Sequence, residues 1–273
     1  MVKLVILGST GMLGNAVSDY FTDKTGYATD TSYRKEELKR NKNSFYFDAT
    51  KTPLSAIPEC DYIINCIGVI KPFMANSLVN AITINSMFPH KLSKWCKETN
   101  KKLIHITTDC VFSGGTGKYS ELDDHDCLDS YGKSKSLGEP NDCMVIRTSI
   151  IGEEIHQNAS LIEWVKKNKG KTIRGYTDHY WNGITTTQFA DICHQVIQKN
   201  LFSIGKSHVY SNDVSKYELV SQINKSFNLD INIEAYETST VCDRTLRTVE
   251  ALIKNLEIPS IKEQLETISG RYK

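Results

Sequence analysis

Short apolar runs alternate with longer amphipathic stretches through the first half of the chain. Helical periodicity predicts one helix after Gly14, a second over Ser77–Thr99 and a third starting at Tyr131. The apolar runs predict strands at Lys3–Leu7, Tyr27–Ser32, Ser44–Phe47, Asp61–Gly68, Lys102–Thr107 and Cys143–Arg147. Strands that alternate with helices are typical of parallel sheets, because parallel neighbours need long crossover connections. The pattern therefore predicts an α/β fold of the Rossmann type, a doubly wound parallel sheet.

The regular alternation ends near Ile150. Beyond it we predict helices and short strands without any repeat or linker, at Ser160–Asn168, Thr186–Lys199 (with Thr186 or Thr187 as N-cap), His208–Tyr210, Lys216–Phe227 and Ile231–Glu234. We therefore divide the chain into a nucleotide-binding domain over 1–150 and a smaller, mainly substrate-binding lobe over 151–273. The helix at 186–200 is expected to pack on the first domain.

Composition excludes several classes of function. The 33 basic and 32 acidic residues nearly cancel, and no basic stripe indicates a nucleic-acid partner. No apolar run approaches the ~20 residues of a membrane helix. The 8 cysteines are scattered and the 7 histidines lack metal-ligand spacing. We expect free thiols, no metal and a cytoplasmic location.

A glycine-rich turn follows the first predicted strand and opens the first predicted helix. It reads Gly8-Ser-Thr10-Gly11-Met12-Leu13-Gly14. The first glycine permits the tight turn, the second lets the backbone approach a pyrophosphate, and the third allows close packing of helix and strand. The free N–H groups of the helix start then face the phosphates. This turn predicts a dinucleotide site.

The residues after the second and third strands indicate which dinucleotide binds. Ser32, Arg34 and Lys35 place a hydroxyl and two cations where a 2′-phosphate would lie, which favours NADP over NAD. Asp30 is the competing ribose ligand, but it falls within the strand. Asp48 and Ala49 end the third strand, where they suit the adenine ring.

A second group of residues can move a proton. Tyr131 and Lys135 lie four apart on a helix, so both side chains share one face. A neighbouring ammonium group lowers the pKa of a phenol, which is ordinarily near ~10. Thr108, at the end of the fifth strand, can hold a carbonyl oxygen. With a nicotinamide, this set indicates hydride transfer to or from a carbonyl.

These motifs resemble those of the extended short-chain dehydrogenases/reductases, and within them dTDP-4-dehydrorhamnose reductase and its relatives. The resemblance is carried by the glycine turn, Asn65–Gly68, Asn85, Thr107–Gly114, Tyr131–Glu139 and Arg147–Ser149. It implies a Thr108/Tyr131/Lys135 triad, with Tyr131 protonating a sugar C4 ketone that NADPH reduces. It also implies further cofactor contacts at Cys66, Ile67, Gly68, Asn85, Thr107, Arg147, Thr148 and Ser149.

The resemblance further implies a nucleotide-diphosphate sugar as substrate, with a dTDP, UDP or GDP carrier. Candidate substrate residues follow the fifth strand or lie in the second lobe: Asp109, Cys110, Val111, Phe112, Arg174, Trp181, Asn182 and Arg244. Ordinary surface or core roles remain the alternative for the four lobe residues. The segment before Tyr131 lacks the family's usual prolines, and Arg244 precedes threonine instead of proline. The sugar therefore stays open.

Together these features predict an NADPH-dependent reductase of a nucleotide-linked 4-keto-6-deoxy sugar in polysaccharide precursor synthesis, as a monomer or homodimer. Related bifunctional enzymes also epimerise C3 and C5, which would use Cys110 as base and His156 as partner acid. A packing role for Cys110 is the plainer interpretation. A chain of this kind can also lack chemistry, since the regulatory β subunit of methionine adenosyltransferase resembles the same reductases.

Overall fold

Parallel strands and intervening helices build the first half of the protein. The computed structural model describes residues 1–22, 24–154 and 159–270. The strands in these ranges are β1 Val2–Leu7, β2 Tyr27–Tyr33, β3 Ser44–Tyr46, β4 Tyr62–Asn65, β5 Lys102–Thr107, β6 Met144–Arg147, β7 Ile150–Ile151, β8 Thr172–Tyr176, β9 His179–Trp181, β10 Ile184–Thr185, β11 Gly205–His208, β12 Val214–Ser215, β13 Asn232–Tyr236 and β14 Cys242–Asp243. The α-helices are α1 Met12–Thr22, α2 Leu78–Ile82, α3 Phe88–Glu98, α4 Ser130–Ser136, α5 Leu161–Lys166, α6 Thr186–Gln198, α7 Lys216–Phe227 and α8 Ile261–Ser269.

The main sheet has 7 strands in the order β11-β6-β5-β4-β1-β2-β3. Every neighbouring pair in it is parallel. This is the doubly wound order of dinucleotide-binding domains, extended by β11 at one edge. The predicted α/β class and Rossmann-type sheet are confirmed. The strand order reverses between β1 and β4, and ligands of such sheets bind beyond the carboxyl ends of the strands at this point.

The turn from β1 into α1 depends on two glycines. Gly8 has a φ of +83°, a left-handed conformation that favours glycine. A Cβ added at Gly14 would lie 2.1 Å from the Gly8 carbonyl oxygen, so only a residue without a side chain fits there. A Cβ at Gly11 would lie 3.5 Å from the same oxygen, an ordinary contact. Gly14 thus sets the close approach of helix and strand.

The predicted helix over Ser77–Thr99 has an irregular centre. Ser77 caps α2 by accepting a hydrogen bond from the Asn80 backbone N–H, and α3 ends at Glu98. Between α2 and α3 the residues Thr83–Met87 form a π-helical segment. Such segments are rare and frequent at functional sites. This one contains the fully buried Asn85.

Part of the chain beyond residue 150 returns to the main sheet. The side chains of Phe189, Ile192 and Val196 on α6 join the core between this helix and α1. Strand β11 pairs with β6 at Gly205–His208, a few residues earlier than the predicted run. The N-cap of α6 is Thr185, whose side chain accepts from the Gln188 N–H; the prediction of Thr186 or Thr187 was wrong by one or two residues.

A second core lies in the remaining lobe. It is formed by side chains such as Trp181, Leu219, Ile223 and Leu265. The strands around it form two small sheets, with orders β12-β9-β14 and β13-β8. Sequence analysis did not predict β8, β9 or α8. The division of the chain near residue 150 stays a prediction.

No helix among the described residues is long and apolar enough to cross a membrane. All eight cysteines are free thiols, as expected. Four of them are buried in the two apolar clusters that pack on the main sheet, namely Cys60, Cys96, Cys143 and Cys193.

The contact of Gly14 with Gly8 yields a stability prediction. Gly14→Ala should lower the free energy of unfolding by about 1–3 kcal/mol, because the new methyl group meets backbone that cannot move aside easily. Urea unfolding followed by circular dichroism measures this. Gly270→Ala is the matched control, since a Cβ there meets nothing within 4 Å. Equal stability of the two variants would contradict the packing role of Gly14.

Candidate active site

A cleft of about 860 Å³ opens beyond the carboxyl ends of the main-sheet strands, where the strand order reverses. Most predicted cofactor and catalytic residues line it: Gly8, Thr10, Gly11, Met12, Leu13, Ser32, Arg34, Asp48, Ala49, Cys66, Ile67, Gly68, Thr107, Thr108, Tyr131, Lys135, Thr148 and Ser149. The predicted substrate residues Asp109 and Cys110 also line it. Residues separated by more than a hundred positions therefore meet in one crevice.

Ser32 stabilises the glycine turn. Its hydroxyl accepts a hydrogen bond from the Gly8 backbone N–H at 2.8 Å, and its carbonyl accepts one from the Ser9 hydroxyl at 2.6 Å. Ser32 is 2% exposed. The Ser32 hydroxyl thus orients the backbone of the turn and still has its own proton to donate; because Ser32 lines the cleft, its role as a ribose-phosphate ligand stays a prediction.

The end of the cleft near β2 and β3 carries charge. Arg34 is exposed there, next to the equally exposed Lys35. Burial opposes ionisation of Asp48, but hydrogen bonds from Thr50 and the nearby Arg34 outweigh it and lower the pKa of this carboxyl. Asp30 does not line the cleft, in line with its expected place within β2. A cationic group therefore faces solvent where a 2′-phosphate would lie.

Asn85 supports the cleft wall from behind. Its amide oxygen accepts from the Val69 N–H at 2.8 Å, while its amide N–H groups donate to the Val69 carbonyl at 2.9 Å and the Ser134 hydroxyl at 3.0 Å. The side chain is fully buried and does not line the cleft. Asn85 was predicted to contact the cofactor; the structure instead uses it to join the loop after Gly68 to α4.

Thr108, Tyr131 and Lys135 come together at the β5 end of the cleft. The Thr108 hydroxyl donates to Asp109 Oδ1 and accepts from the Cys110 N–H, both at 3.1 Å. The same hydroxyl lies close enough to the Tyr131 phenol to favour the ionised form of that phenol. Lys135 Nζ donates to the Ile106 carbonyl at 3.2 Å. Tyr131 and Lys135 both lie on helix α4. Asp129 caps this helix by accepting a hydrogen bond from the Gly132 N–H.

The pKa values of the pair differ from the sequence-based expectation. Burial raises the pKa of Tyr131 above its ordinary value, and the nearby Cys110 adds to this effect. Burial lowers the pKa of Lys135 to about 8, although Glu139 opposes the shift. The expectation that Lys135 lowers the pKa of Tyr131 is not met in this structure, because desolvation dominates. Tyr131 is therefore protonated at neutral pH.

Cys110 has the properties of a neutral thiol. Its side chain is partly exposed to the cleft. Burial raises its pKa to about 12, and the adjacent Asp109 raises it further. A thiolate is the reactive form of cysteine, so this environment does not favour proton abstraction. His156, the suggested partner acid, lies outside the described residues.

Arg147 was predicted to contact the cofactor, but its side chain points into the protein. It is 1% exposed and does not line the cleft. Glu139 accepts from Arg147 Nε at 3.1 Å and from Nη2 at 2.6 Å. His208 Nε2 accepts from Nη1, and His125 Nε2 accepts from Nη2 at 2.7 Å. A buried guanidinium needs such partners, and here they fix β6 to β11 and to the segment before α4.

Most of the remaining substrate candidates lie away from the cleft. Val111 and Phe112 are fully buried, in a cluster where Phe112 stacks on Tyr119 at 4.2 Å. Trp181 packs in the core of the lobe. The exposed Arg174 lies over the Tyr236 ring at 4.5 Å. These positions correct the prediction for each, because apolar packing or a distant strand pair accounts for the side chain.

The last two candidates have different outcomes. Asn182 donates to Asp213 Oδ1 at 3.0 Å and exchanges hydrogen bonds with the backbone of Leu246, so its amide group has no bonding capacity directed at a ligand. Arg244 donates from Nε and Nη2 to the carbonyls of Phe112 and Ser113, both at 3.0 Å. Arg244 is thus held against the segment after β5, near enough to Cys110 for their charges to interact, but it does not line the cleft.

Sequence reasoning missed several lining residues. They lie in the segment after β4, in the loop after β7 or elsewhere along the rim: Asn15, Tyr33, Leu38, Phe47, Val69, Ile70, Phe73, Asn76, Ser77, Asn80, Ile84, Ile106, Ile150, Glu153 and Glu154. The segment after β4 was predictable, since every loop at the carboxyl edge of a parallel sheet can reach the ligand. In the described ranges no cluster of three or more His, Cys, Asp or Glu side chains suits a metal ion.

Comparison with known proteins identifies the family. The family described as "RmlD substrate binding domain" matches residues 2–265 of the chain. The chain belongs to this family. Its match extends far beyond the first 150 residues that carry the motifs.

Individual relatives agree with this membership. The RmlD-family chain is 25% identical over 242 residues to methionine adenosyltransferase 2 subunit beta of Rattus norvegicus, covering 83% of this chain and 72% of that protein. It is 28% identical over 190 residues to a probable low-salt glycan biosynthesis reductase, Agl14, of Haloferax volcanii, covering 63% of each. A dTDP-4-dehydrorhamnose reductase of Bacillus anthracis, solved in complex with NADP, matches with a TM-score of 0.80 and 21% identity over 100% of both chains. The resemblance to dTDP-4-dehydrorhamnose reductases is thus confirmed at the level of the fold.

The partners of Arg147 lead to a prediction on stability and pH. Both histidines accept from the guanidinium, so both must be neutral. Burial lowers the pKa of both histidines below the unfolded value near 6.5. For His208 the charge of Arg147 lowers the pKa further. A histidine with a lowered folded pKa contributes stability that is present above the unfolded pKa and is lost as the pH falls below it. The free energy of unfolding should therefore decrease below about pH 6.5.

Urea titrations between pH 5 and 8 measure this slope. His208→Gln keeps an acceptor but removes one titrating group, so its slope below pH 6.5 should be shallower than that of the unsubstituted protein. The exposed His90 provides the control substitution, His90→Gln. Equal slopes for all three proteins would exclude His208 as a source of the acid sensitivity.

Proposed function

We propose that this RmlD-family protein uses NADPH to reduce the C4 ketone of a nucleotide-linked 4-keto-6-deoxy sugar, in the synthesis of polysaccharide precursors. One observation carries the proposal: the glycine turn and the Thr108/Tyr131/Lys135 set line the same cleft. A turn that suits a dinucleotide pyrophosphate thus lies at one end, and a set of residues that suits a carbonyl lies at the other. Two independent motifs seldom meet in this way by accident.

Each member of the set has a physical role in reduction. Tyr131 is protonated at neutral pH because burial raises its pKa, so it can donate a proton to the ketone oxygen. Thr108 can turn its hydroxyl from Asp109 towards that oxygen and orient it. Lys135 lines the same cleft, so its ammonium group can hold the ribose of a nicotinamide bound there. A bound nicotinamide would supply the hydride.

The preference for NADPH rests on the cations after β2. Arg34 and Lys35 are exposed at the cleft edge, and Asp30 is set back within the strand. A 2′-phosphate gains from such cations, whereas a ribose with free hydroxyls needs an acceptor. The Bacillus anthracis reductase that shares the fold was solved with NADP. Reduction without epimerisation is favoured because Cys110 is a neutral thiol.

The first test is a substitution of the proton donor. Tyr131→Phe should reduce turnover about 100-fold or more, because the phenol proton is lost while the ring keeps its packing. NADPH affinity, measured by fluorescence titration, should change little. The exposed Tyr180 provides the control, Tyr180→Phe, which should keep full activity. Turnover would be followed as NADPH oxidation with a panel of dTDP-, UDP- and GDP-linked 4-keto sugars. Near-normal activity of Tyr131→Phe would contradict the assigned role.

The charge of Lys135 gives a second test. Its pKa of about 8 means that the ammonium form is present below this pH and is lost above it. The value of kcat/KM for the keto sugar should therefore fall as the pH rises through about 8. Lys133 lies exposed on the same helix, so Lys133→Met should leave the profile unchanged. A profile that stays flat to pH 10 would show that the Lys135 charge is not needed.

A second function comes from a different class. Several curated relatives carry the name methionine adenosyltransferase 2 subunit beta, at about 25% identity. In a protein of that kind the cleft would bind a nucleotide without turnover, and the protein would act as a partner subunit. The keto-sugar panel separates the two, since turnover of any member excludes a purely binding role. Co-purification with a methionine adenosyltransferase catalytic subunit, without turnover, would favour the second function.

A further inference from the structure

Glu139 is a buried carboxylate that the proposed chemistry does not use. It follows Lys135 by four positions, and its side chain is 1% exposed. The last turn of α4 leads directly into it, because the Gly138 N–H donates to the Lys135 carbonyl at 3.0 Å. A carboxylate away from water stays ionised only beside cations or hydrogen-bond donors, so the partners of Glu139 define its role.

Gly138 fixes the point at which the chain leaves α4. A Cβ added there would lie 1.7 Å from the Asn85 carbonyl oxygen, so the backbone passes directly against the π-helical segment. The Ser86 hydroxyl of that segment donates to the Ser134 carbonyl at 2.7 Å and holds the same surfaces together. The turn that carries Lys135 and leads into Glu139 is therefore closely packed, which limits how far the two side chains can move apart.

Two buried cations share the charge of Glu139. Arg147 donates to its carboxylate from Nε at 3.1 Å and from Nη2 at 2.6 Å. Burial opposes ionisation of Glu139, but these hydrogen bonds and the Arg147 charge outweigh it and lower the pKa of the carboxyl. The neutral His125 imidazole lies 3.8 Å away and adds no charge. Lys135 forms no ion pair in the described ranges, yet it lies close enough for the Glu139 charge to act on it.

Lys135 depends on this charge to keep its proton. Its side chain is 6% exposed, and its ammonium group donates to the Ile106 carbonyl. Tyr131, one turn earlier on α4, is protonated at neutral pH. His105 on β5 is fully buried, and burial and the Lys135 charge lower the pKa of its imidazole, so it is neutral. In the described part of the chain, Glu139 is the anion that favours the ammonium form of Lys135.

We propose that Glu139 is a positioning residue of the active site, whose buried carboxylate keeps Lys135 in the ammonium form beside the nicotinamide ribose. This inference rests on the proposed function and adds a residue that acts through Lys135 without touching a ligand. Glu139 does not line the cleft, so its effect is exerted through its charge. Without that charge, desolvation should lower the pKa of Lys135 further. Arg147 keeps the carboxylate ionised.

The test follows the ionisation of Lys135 directly, so it does not depend on turnover. The full-length protein is labelled with [ε-¹³C]lysine, and NMR records the titration of each lysine side chain. The Lys135 signal is the one that Lys135→Met lacks. Glu139→Gln removes the charge and keeps the shape, whereas Glu139→Asp keeps the charge and shortens the side chain. Asp142→Asn is the matched control, because this nearby carboxylate is exposed and pairs with the exposed Lys97.

We expect Lys135 to titrate about one pH unit lower in Glu139→Gln, as for loss of a neighbouring opposite charge. Glu139→Asp should titrate closer to the unsubstituted protein, and Asp142→Asn should equal it. A purely structural role predicts the reverse order for the two Glu139 variants, because aspartate changes the packing more than glutamine does. An identical Lys135 titration in Glu139→Gln and in the unsubstituted protein would overturn the inference.

A second variant covers the case in which Glu139→Gln does not fold. That substitution leaves the buried Arg147 without a counter-charge, which is strongly destabilising. Glu139→Gln/Arg147→Gln removes both charges together. Lys135 should also titrate lower in this double variant, because Glu139 is the group that favours its ammonium form. An unchanged or raised pKa of Lys135 in the double variant would count equally against the inference.

The pH profile of kcat/KM for the keto sugar connects the result to the proposed function. Its decrease at high pH should move to lower pH in Glu139→Gln together with the Lys135 titration, since kcat/KM reports groups of the free enzyme. A decrease that stays in place while Lys135 shifts would overturn the role of Glu139 in the reaction. A shifted Lys135 in a protein without any turnover would contradict reduction and leave the charge effect of Glu139 established.

Discussion

All seven strands of the main sheet run parallel, so their carboxyl ends meet along one edge. This constraint brings the turn after β1, the loop after β4 and the hydroxyl after β5 into a single crevice. The hydrogen bond from Lys135 to the Ile106 carbonyl then fixes α4 against the end of β5. Without parallel pairing, Gly8 and Tyr131 would be distant points of the chain, and no common cleft would form.

Three cations with largely buried side chains differ in the groups that compensate their charge. Arg147 is matched by Glu139 and two neutral histidines, which makes it a fixed structural element. Lys135 has one carbonyl partner and a pKa lowered to about 8. Lys216 faces the Trp181 ring and the nearby Asp109 carboxylate, with which it forms no ion pair in the described ranges. The three cations thus differ in how far other side chains of the protein compensate their charge.

Local sequence patterns predicted the first half of the fold well. The glycine turn, the apolar run of β1 and the spacing of Tyr131 and Lys135 are set by neighbouring residues, so they can be recognised from the sequence alone. The α/β class and the doubly wound parallel sheet followed from the same alternation. The N-cap of α6 was misplaced because three consecutive threonines, Thr185–Thr187, all suit a cap.

Roles that depend on distant partners were harder to predict. Arg147 was assigned to the cofactor because of its place after β6, but its partners are 8, 22 and 61 positions away in sequence. Trp181 was a candidate substrate residue with a core role as the alternative, and it lies in the core of the lobe. Sequence periodicity reports burial but not which buried groups face each other.

The most direct measurement is a crystal structure of the protein with NADP⁺ bound. The account predicts that the pyrophosphate lies on the Gly8–Gly14 turn and that the nicotinamide ring lies beside the Tyr131 hydroxyl. Lys135 should be within hydrogen-bond reach of the adjoining ribose. A nicotinamide ring outside the cleft, or a Tyr131 hydroxyl directed away from it, would contradict the account.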